Sequence, residues 1–374
     1  MCARVGAAAT RPCSRALLLA ALICAPATSW AADPPTVADE AAAEPVRAAE
    51  RVPLAARGLL IAIAPAGQRL VAVGDRGIIV LSDDRGASWT QAEYVPSQAL
   101  LTGVCFLDPQ RGVAVGHDQV TLTTGDAGRT WKRTHFAPQA PGPLLDVWCG
   151  AGGRVIAVGA YSAYLISTDG GASWREVKFT PAAAKAAPAH AGAAPAAPAA
   201  ASADAEEEAG GGYHLNRIVT AGGGRLYIAG EAGHLYRSDD GGASWRSLTS
   251  PYEGSFFGVL PLTGDTVLAF GLRGHLYRSA DAGDSWQQID TGTVAMLTGA
   301  APLGAHALAI VGLAGVVLVS RDGGRTVTLE QQADHAGLSA VVPAGDDRLA
   351  VAGEDGARQI GLSGKPVAAG SASP

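Results

Sequence analysis

Six aspartates recur at one position of a repeated octet, and a carboxylate presented so regularly is the first candidate for chemistry in this chain. The octets are Ser82-Asp-Asp84-Arg-Gly86-Ala-Ser88-Trp89, Thr124-Gly-Asp126-Ala-Gly128-Arg-Thr130-Trp131, Ser167-Thr-Asp169-Gly-Gly171-Ala-Ser173-Trp174, Ser238-Asp-Asp240-Gly-Gly242-Ala-Ser244-Trp245, Ser279-Ala-Asp281-Ala-Gly283-Asp-Ser285-Trp286 and Ser320-Arg-Asp322-Gly-Gly324-Arg-Thr326-Val327. Five match S/T-x-D-x-G-x-S/T-W in full, and the sixth ends in valine. Such a carboxylate can serve as a general acid or cation ligand, which requires several groups to converge on one point. It can instead accept hydrogen bonds from its own turn, with the Ser and Thr hydroxyls adding weaker ones. Copies spread along the whole chain do not converge, so the expected role of Asp84, Asp126, Asp169, Asp240, Asp281 and Asp322 is to staple a hairpin. Glycine supplies the positive φ such a turn needs. Trp89, Trp131, Trp174, Trp245 and Trp286 supply large rings to pack against outer strands or a neighbouring unit.

Other constellations are sparse. Gly-His-Leu-Tyr-Arg-Ser occurs twice, at 233–238 and 274–279, and duplicated positions such as His234/His275 and Tyr236/Tyr277 read as strand packing. G-x-S-x-G, H-E-x-x-H and P-loop patterns are absent, and no cluster has metal-ligand spacing, so neither metal nor cofactor is expected.

The octets occupy a fixed place in a larger unit. An apolar strand ending in glycine recurs at Gly74, Gly116, Gly159, Gly230, Gly271, Gly312 and Gly353, in steps of 42, 43, 71, 41, 41 and 41 residues. A period near 40 to 45 residues is that of a four-stranded propeller blade. Before each glycine lies a short apolar strand, taken as the innermost; a third strand and the octet follow. The fold expected is all-β, a seven-bladed propeller of four-stranded blades over residues 46–366. The long step is a normal step plus an Ala/Pro/Gly-rich insertion at 180–212, too poor in apolar bulk to fold and expected to be disordered. His190 within it reads as solvated filler. The seventh unit has no octet, whereas residues 46–53 carry outer-strand spacing with Val46 at the tryptophan position. The N-terminal strand, 46–52, is therefore expected to pair with 357–362 and close the ring.

At the start, Arg4, Arg11 and Arg15 precede an apolar run and Ser29-Trp30-Ala31, the pattern of a cleaved secretory leader over 1–31. A flexible segment, 32–45, and a small-residue tail, 367–374, flank the propeller. A periplasmic or secreted protein with no membrane span of its own is expected. Removing the leader changes 28 basic and 34 acidic residues to 25 and 34, a net charge of −9, which offers nothing to nucleic acid. The mature chain keeps Cys105 and Cys149, on the innermost strands of blades two and three. Their opposite strand parity allows a disulfide between blades. Two buried free thiols are the preferred reading, because a Cα separation below about 7 Å is demanding.

Seven Gly-turn units with these Asp-box or BNR-type octets resemble the photosystem II assembly and stability factor family, known from plastids and cyanobacteria with relatives in other bacteria. The resemblance covers nearly the whole mature chain, 46–362. It implies a non-enzymatic propeller that assists a membrane protein complex, in photosynthesis or at another envelope complex. The rival is an Asp-box glycoside hydrolase of sialidase type, or a carbohydrate-binding propeller. Arg51-Val52-Pro53 is similar to the arginine tripeptide of sialidases, although its spacing already explains it as an outer strand. Partner binding is expected on the face opposite the octets, at turns that differ from copy to copy: Asp75-Arg76, His117-Asp118-Gln119, Tyr161, Glu231, Arg273 and Glu354-Asp355.

Overall fold

The computed structural model describes residues 46–184, 212–345 and 347–362, all within one compact unit, Thr36–Pro374. The leader, segment 32–45, the tail, His190 and most of the insertion lie outside the described residues. Seven antiparallel sheets form, each a meander in chain order, with four strands in six of them and three in the seventh among the described residues. Blade one shows the plan: Leu60–Ala66 innermost, then Arg69–Gly74, Ile79–Ser82 and the outer Thr90–Gln91. Each innermost strand touches that of the next blade, and Leu338–Pro343 of blade seven returns to Leu60–Ala66. The protein is a seven-bladed β-propeller. The repeat resumes in phase after the insertion, with blade four opening at Leu215–Gly222.

Neighbouring blades cover both faces of the inner strands, which is why those strands are apolar without alternation. Val71, Ala72 and Val73 are all buried, as are Val155, Ile156, Ala157 and Val158. The first residue of every innermost strand is large, apolar and sealed: Leu60, Leu101, Leu144, Leu215, Phe256, Leu297 and Leu338. Full burial of one such side chain contributes about 1.5–3 kcal/mol, so this ring is a main source of cohesion.

Glycine ends the second strand because the chain entering the innermost strand crosses it there. A Cβ on Gly74 would lie 2.1 Å from the Leu59 carbonyl oxygen, and one on Gly353 2.1 Å from that of Gly337. The innermost strand bulges opposite this glycine, between Leu60 and Ala62 and between Leu101 and Gly103. In three blades the extra residue ties the next blade on. The Thr102 hydroxyl donates to the Leu144 carbonyl (2.7 Å), the Asn216 amide to Phe256 (2.8 Å) and the Thr298 hydroxyl to Leu338 (2.6 Å).

The ring does not close as the spacing suggested. Residues 46–52 form no strand, and Gly356–Gly361 pairs only with Arg348–Gly353 among the described residues. The N-terminal segment runs instead along blade one: the Ala49 N–H donates to Val95 O (2.9 Å), and the Gln91 amide accepts from Val52 N–H and donates to Glu50 O. Every other outer strand is held to its own blade by an octet hairpin. The N-terminal segment has no such covalent link to blade seven, and the Gln91 and Gln98 side-chain amides hold it on blade one instead. The seam between blades seven and one is closed by packing of Leu60, Ala72, Val80, Ala340 and Ala352, and by the Gln359 amide donating to Arg85 O (2.9 Å).

Cys105 and Cys149 form a disulfide, with their Cα atoms 5.7 Å apart, in place of the free thiols preferred above. The innermost strands of blades two and three lie side by side, and opposite parity turns both side chains into the seam, among Val113, Val147 and Val155.

Candidate partner-binding face

The octet aspartates are consumed by their own hairpins. The Ser82 hydroxyl donates to Asp84 Oδ1 (2.8 Å) and accepts the Gly86 N–H (2.7 Å), while the Ser88 N–H and hydroxyl donate to the two Asp84 oxygens (2.8 and 2.5 Å). The same bonds recur around Asp126, Asp169, Asp240, Asp281 and Asp322. Burial works to raise the Asp169 and Asp240 carboxyls, but hydrogen bonds from Ser173 and Ser167, and from Ser244 and Ser238, outweigh it and hold both at about 2. The Thr326 N–H and hydroxyl hold Asp322 at about 2 as well. A carboxylate this acidic, with its acceptor sites filled from its own turn, has no proton to deliver near neutral pH.

The rest of the octet joins blades. The octet glycines have positive φ, 90° at Gly86 and 93° at Gly283, and each sits against the preceding blade. A Cβ on Gly242 would meet Ile156 at 2.6 Å, and one on Gly324 would meet Leu268 at 2.8 Å. The indole N–H groups of Trp89, Trp131 and Trp174 donate back to the octet glycine carbonyl at 3.1, 2.8 and 3.0 Å. In blade four, Tyr164 of blade three intervenes: Trp245 donates to its hydroxyl (2.9 Å), which donates to Gly242 O (3.1 Å). The buried Trp286 N–H finds no partner among the described residues.

The turns joining second to third strands, on the opposite face, carry two successive left-handed residues as the octet turns do, where Arg85, Ala127 and Ala282 are the non-glycine ones. In six blades the residue at the apex is left-handed and not glycine: Arg76 (φ 52°), Asp118 (56°), Tyr161 (54°), Ala232 (49°), Arg273 (56°) and Ala314 (55°). The following residue is left-handed too, and the Ile78 N–H returns to Asp75 O at 2.9 Å, as His275 does to Leu272 O at 3.2 Å. These are two-residue hairpin turns that favour Asn or Gly at their apex. An ordinary L-residue there costs roughly 1–2 kcal/mol. Arg76 and Tyr161 nevertheless stand out into solvent, the Arg76 side chain 83% and Tyr161 49% exposed.

The structure sorts the candidate residues on this face. Arg76, His117, Asp118, Tyr161, Arg273, Glu354 and Asp355 are exposed. Gln119 is not a surface residue: it is buried, and its amide donates to Gly142 O (3.2 Å), because its own left-handed φ turns the side chain inward. Glu231 accepts the His214 N–H (3.2 Å) and Glu354 the Gly337 N–H (2.8 Å), so both tie their turn to the entry of the innermost strand. Asp75 accepts the Arg76 N–H (2.9 Å). Sequence reasoning missed a cluster over blades three to five, drawn from links that precede innermost strands. Tyr213 stacks on His234 (3.8 Å between ring centres), Tyr252 on His275 (4.2 Å), and His214 meets the Tyr161 ring edge-on at 5.0 Å. Only the recurrence of His234 and His275 hinted at it. Arg51 lies at the edge of blade one beside Gln91, remote in the ring from Tyr236 and Tyr277 of blades four and five. Among the described residues no group of three His, Cys, Asp or Glu is placed to hold a metal ion, and no helix is long and apolar enough to cross a membrane.

No protein-family profile matches this chain, and no curated protein matches it in sequence. Solved structures do match in fold. "YCF48 bound to D1 peptide" aligns with a TM-score of 0.61 at 16% identity, over 84% of this chain and 96% of that one. YCF48 from Cyanidioschyzon merolae aligns equally, at 0.61 and 16%, over 83% and 97%. A GH74 xyloglucanase from Xanthomonas campestris aligns at 0.62 and 14%, over 84% of this chain and 53% of the enzyme. At these identities the likeness is one of fold, shared by a peptide-binding protein and by glycoside hydrolases.

Proposed function

We propose that this chain is a non-enzymatic, protein-binding propeller of the periplasm or cell exterior that assists assembly or stability of a membrane protein complex. The observation that carries the reading is the rim of left-handed apices. Arg76, Asp118, Tyr161 and Arg273 occupy strained positions where glycine would fit at no steric cost, and three of them present long side chains outward. Arg85 on the octet face is left-handed and exposed too, so the reading rests on the recurrence of this strain in six turns whose sequence differs from copy to copy, and variable loops are where contacts are encoded. The octet face supports the same conclusion from the other side, since its aspartates are satisfied by their own turns and its sequence repeats. The match in fold to YCF48 bound to D1 peptide supports an extended peptide segment as the form of the ligand.

The test is capture of a partner from the membrane fraction by the immobilised chain. Reversing charge at Asp75, Arg76, Asp118 and Arg273 together weakens capture while the melting temperature stays within a few degrees. Equal loss on altering Arg85 and Arg129 of the octet turns would overturn the assignment. The GH74 likeness gives the rival its assay: turnover of a glycan by the purified chain would make it an enzyme.

A further inference from the structure

The seven innermost strands enclose a channel of about 510 Å³ on the ring axis, within the usual size range of a small-molecule site. Its lining is apolar apart from Thr220 and two ionisable residues, Asp146 and Arg217, in neighbouring blades three and four. Both occupy the third position of their innermost strand, where the other five blades have Ala62, Gly103, Gly258, Gly299 and Ala340. The small residues are demanded by close approach: a Cβ on Gly103 or Gly299 would stand 3.0 or 2.9 Å from the backbone of the next strand. Only the seam between blades three and four departs from this rule.

There the buried Asp146 carboxylate accepts the Ile218 N–H (2.9 Å) and lies 3.7 Å from an Arg217 amino group. An ion pair taken out of water adds little net stability, and an apolar seam would serve as well. Arg217 has five N–H donors. Asp146 is its one ion-pair partner among the described residues, and its side chain remains 25% exposed. From the third position to the sixth, each strand runs about 10 Å toward the octet face. In four blades the sixth position is proline: Pro65, Pro261, Pro302 and Pro343. Proline has no N–H to offer, so the wall below Arg217 is apolar with few donors at its rim.

We propose that the channel binds a medium-chain monocarboxylate, its head on Arg217 and its chain along the apolar wall formed by Ile63, Val259 and Val341. Asp146 orients the guanidinium and leaves its outer donors to the ligand. A strand run of about 10 Å matches an acyl chain of about eight carbons.

Isothermal titration of the full chain with octanoate tests this, with acetate, octanol and octylamine for comparison. Octanoate binds at least about ten-fold more tightly than any of the three, and Arg217→Gln removes that preference. Because loss of Arg217 also loosens a seam, a second variant is needed. Ala300→Leu fills the channel with the ion pair intact, and it abolishes octanoate binding without lowering the melting temperature by more than a few degrees. Absence of octanoate binding, its persistence in Arg217→Gln, or equal binding of octylamine would each overturn the proposal.

Discussion

Gly86 of the first octet lies against Ala350 of the last blade, so close that a Cβ on the glycine would sit 2.8 Å from the alanine methyl. One residue thus serves two scales at once: its φ of 90° completes a local turn, and its missing side chain lets blade one dock on blade seven. With no exchanged strand at this seam among the described residues, such contacts carry the closure of the ring.

Gly86→Ala combines a left-handed alanine with an overpacked seam, and the expected loss is about 2–4 kcal/mol. Gly125→Ala, in the second octet, is the control, because a Cβ there meets nothing within 4 Å and its φ is not positive. Thermal unfolding of the two variants checks this. Equal melting temperatures would show that the seam tolerates a methyl group.

The octet carboxylates make stability depend on acid. Asp169, Asp240 and Asp322 sit at about 2, against about 3.9 for an unfolded aspartate. Between those values the unfolded chain binds more protons, so stability rises with pH across that window. It is fully present above about pH 4 and is lost as pH falls toward 2. Solvent screening of these exposed hairpins keeps each contribution small. The triple variant Asp169→Asn, Asp240→Asn, Asp322→Asn should melt lower than the parent at pH 7, and its melting temperature should fall less steeply from pH 4 to pH 2.

The disulfide between Cys105 and Cys149 closes a separation of 44 residues across two blades. Such a cross-link contributes about 2–4 kcal/mol in chain-entropy terms. Adding reductant should lower the melting temperature of the parent and leave that of Cys105→Ser/Cys149→Ser unchanged. Alkylation without reductant should leave both cysteines unlabelled.

The strained apices separate stability from binding. Replacing Arg76 and Arg273 by glycine relieves the left-handed backbone, while the greater freedom of unfolded glycine offsets part of the gain. The double variant should be more stable by about 0.5–1 kcal/mol and should capture less partner. A loss of stability would mean that these arginines support the fold.

Much of this protein was legible in its sequence because the relevant chemistry is short-range or periodic. The staple around Asp84 involves Ser82, Gly86 and Ser88, all within one octet, so spacing alone implies the hydrogen bonds. A strand-ending glycine every 41 to 43 residues, with one insertion, implies blade number, since the repeat that fills a blade also counts it.

What only the tertiary structure decided lies between blades, where no sequence interval reports distance. Parity allowed Cys105 to face Cys149, but the separation of 5.7 Å exists because two innermost strands meet near the axis. Val46 has the spacing of an outer strand, yet it lacks the hairpin that would hold it to blade seven, and side-chain amides of Gln91 and Gln98, which no spacing announces, hold the segment on blade one. Gln119 and Arg76 stand in equivalent turns. One is buried and the other exposed because two successive left-handed residues point their side chains in different directions, a choice written in backbone dihedrals that residue type does not announce. Asp146 and Arg217 are 71 residues apart in the chain and become neighbours only because the ring places blade three beside blade four.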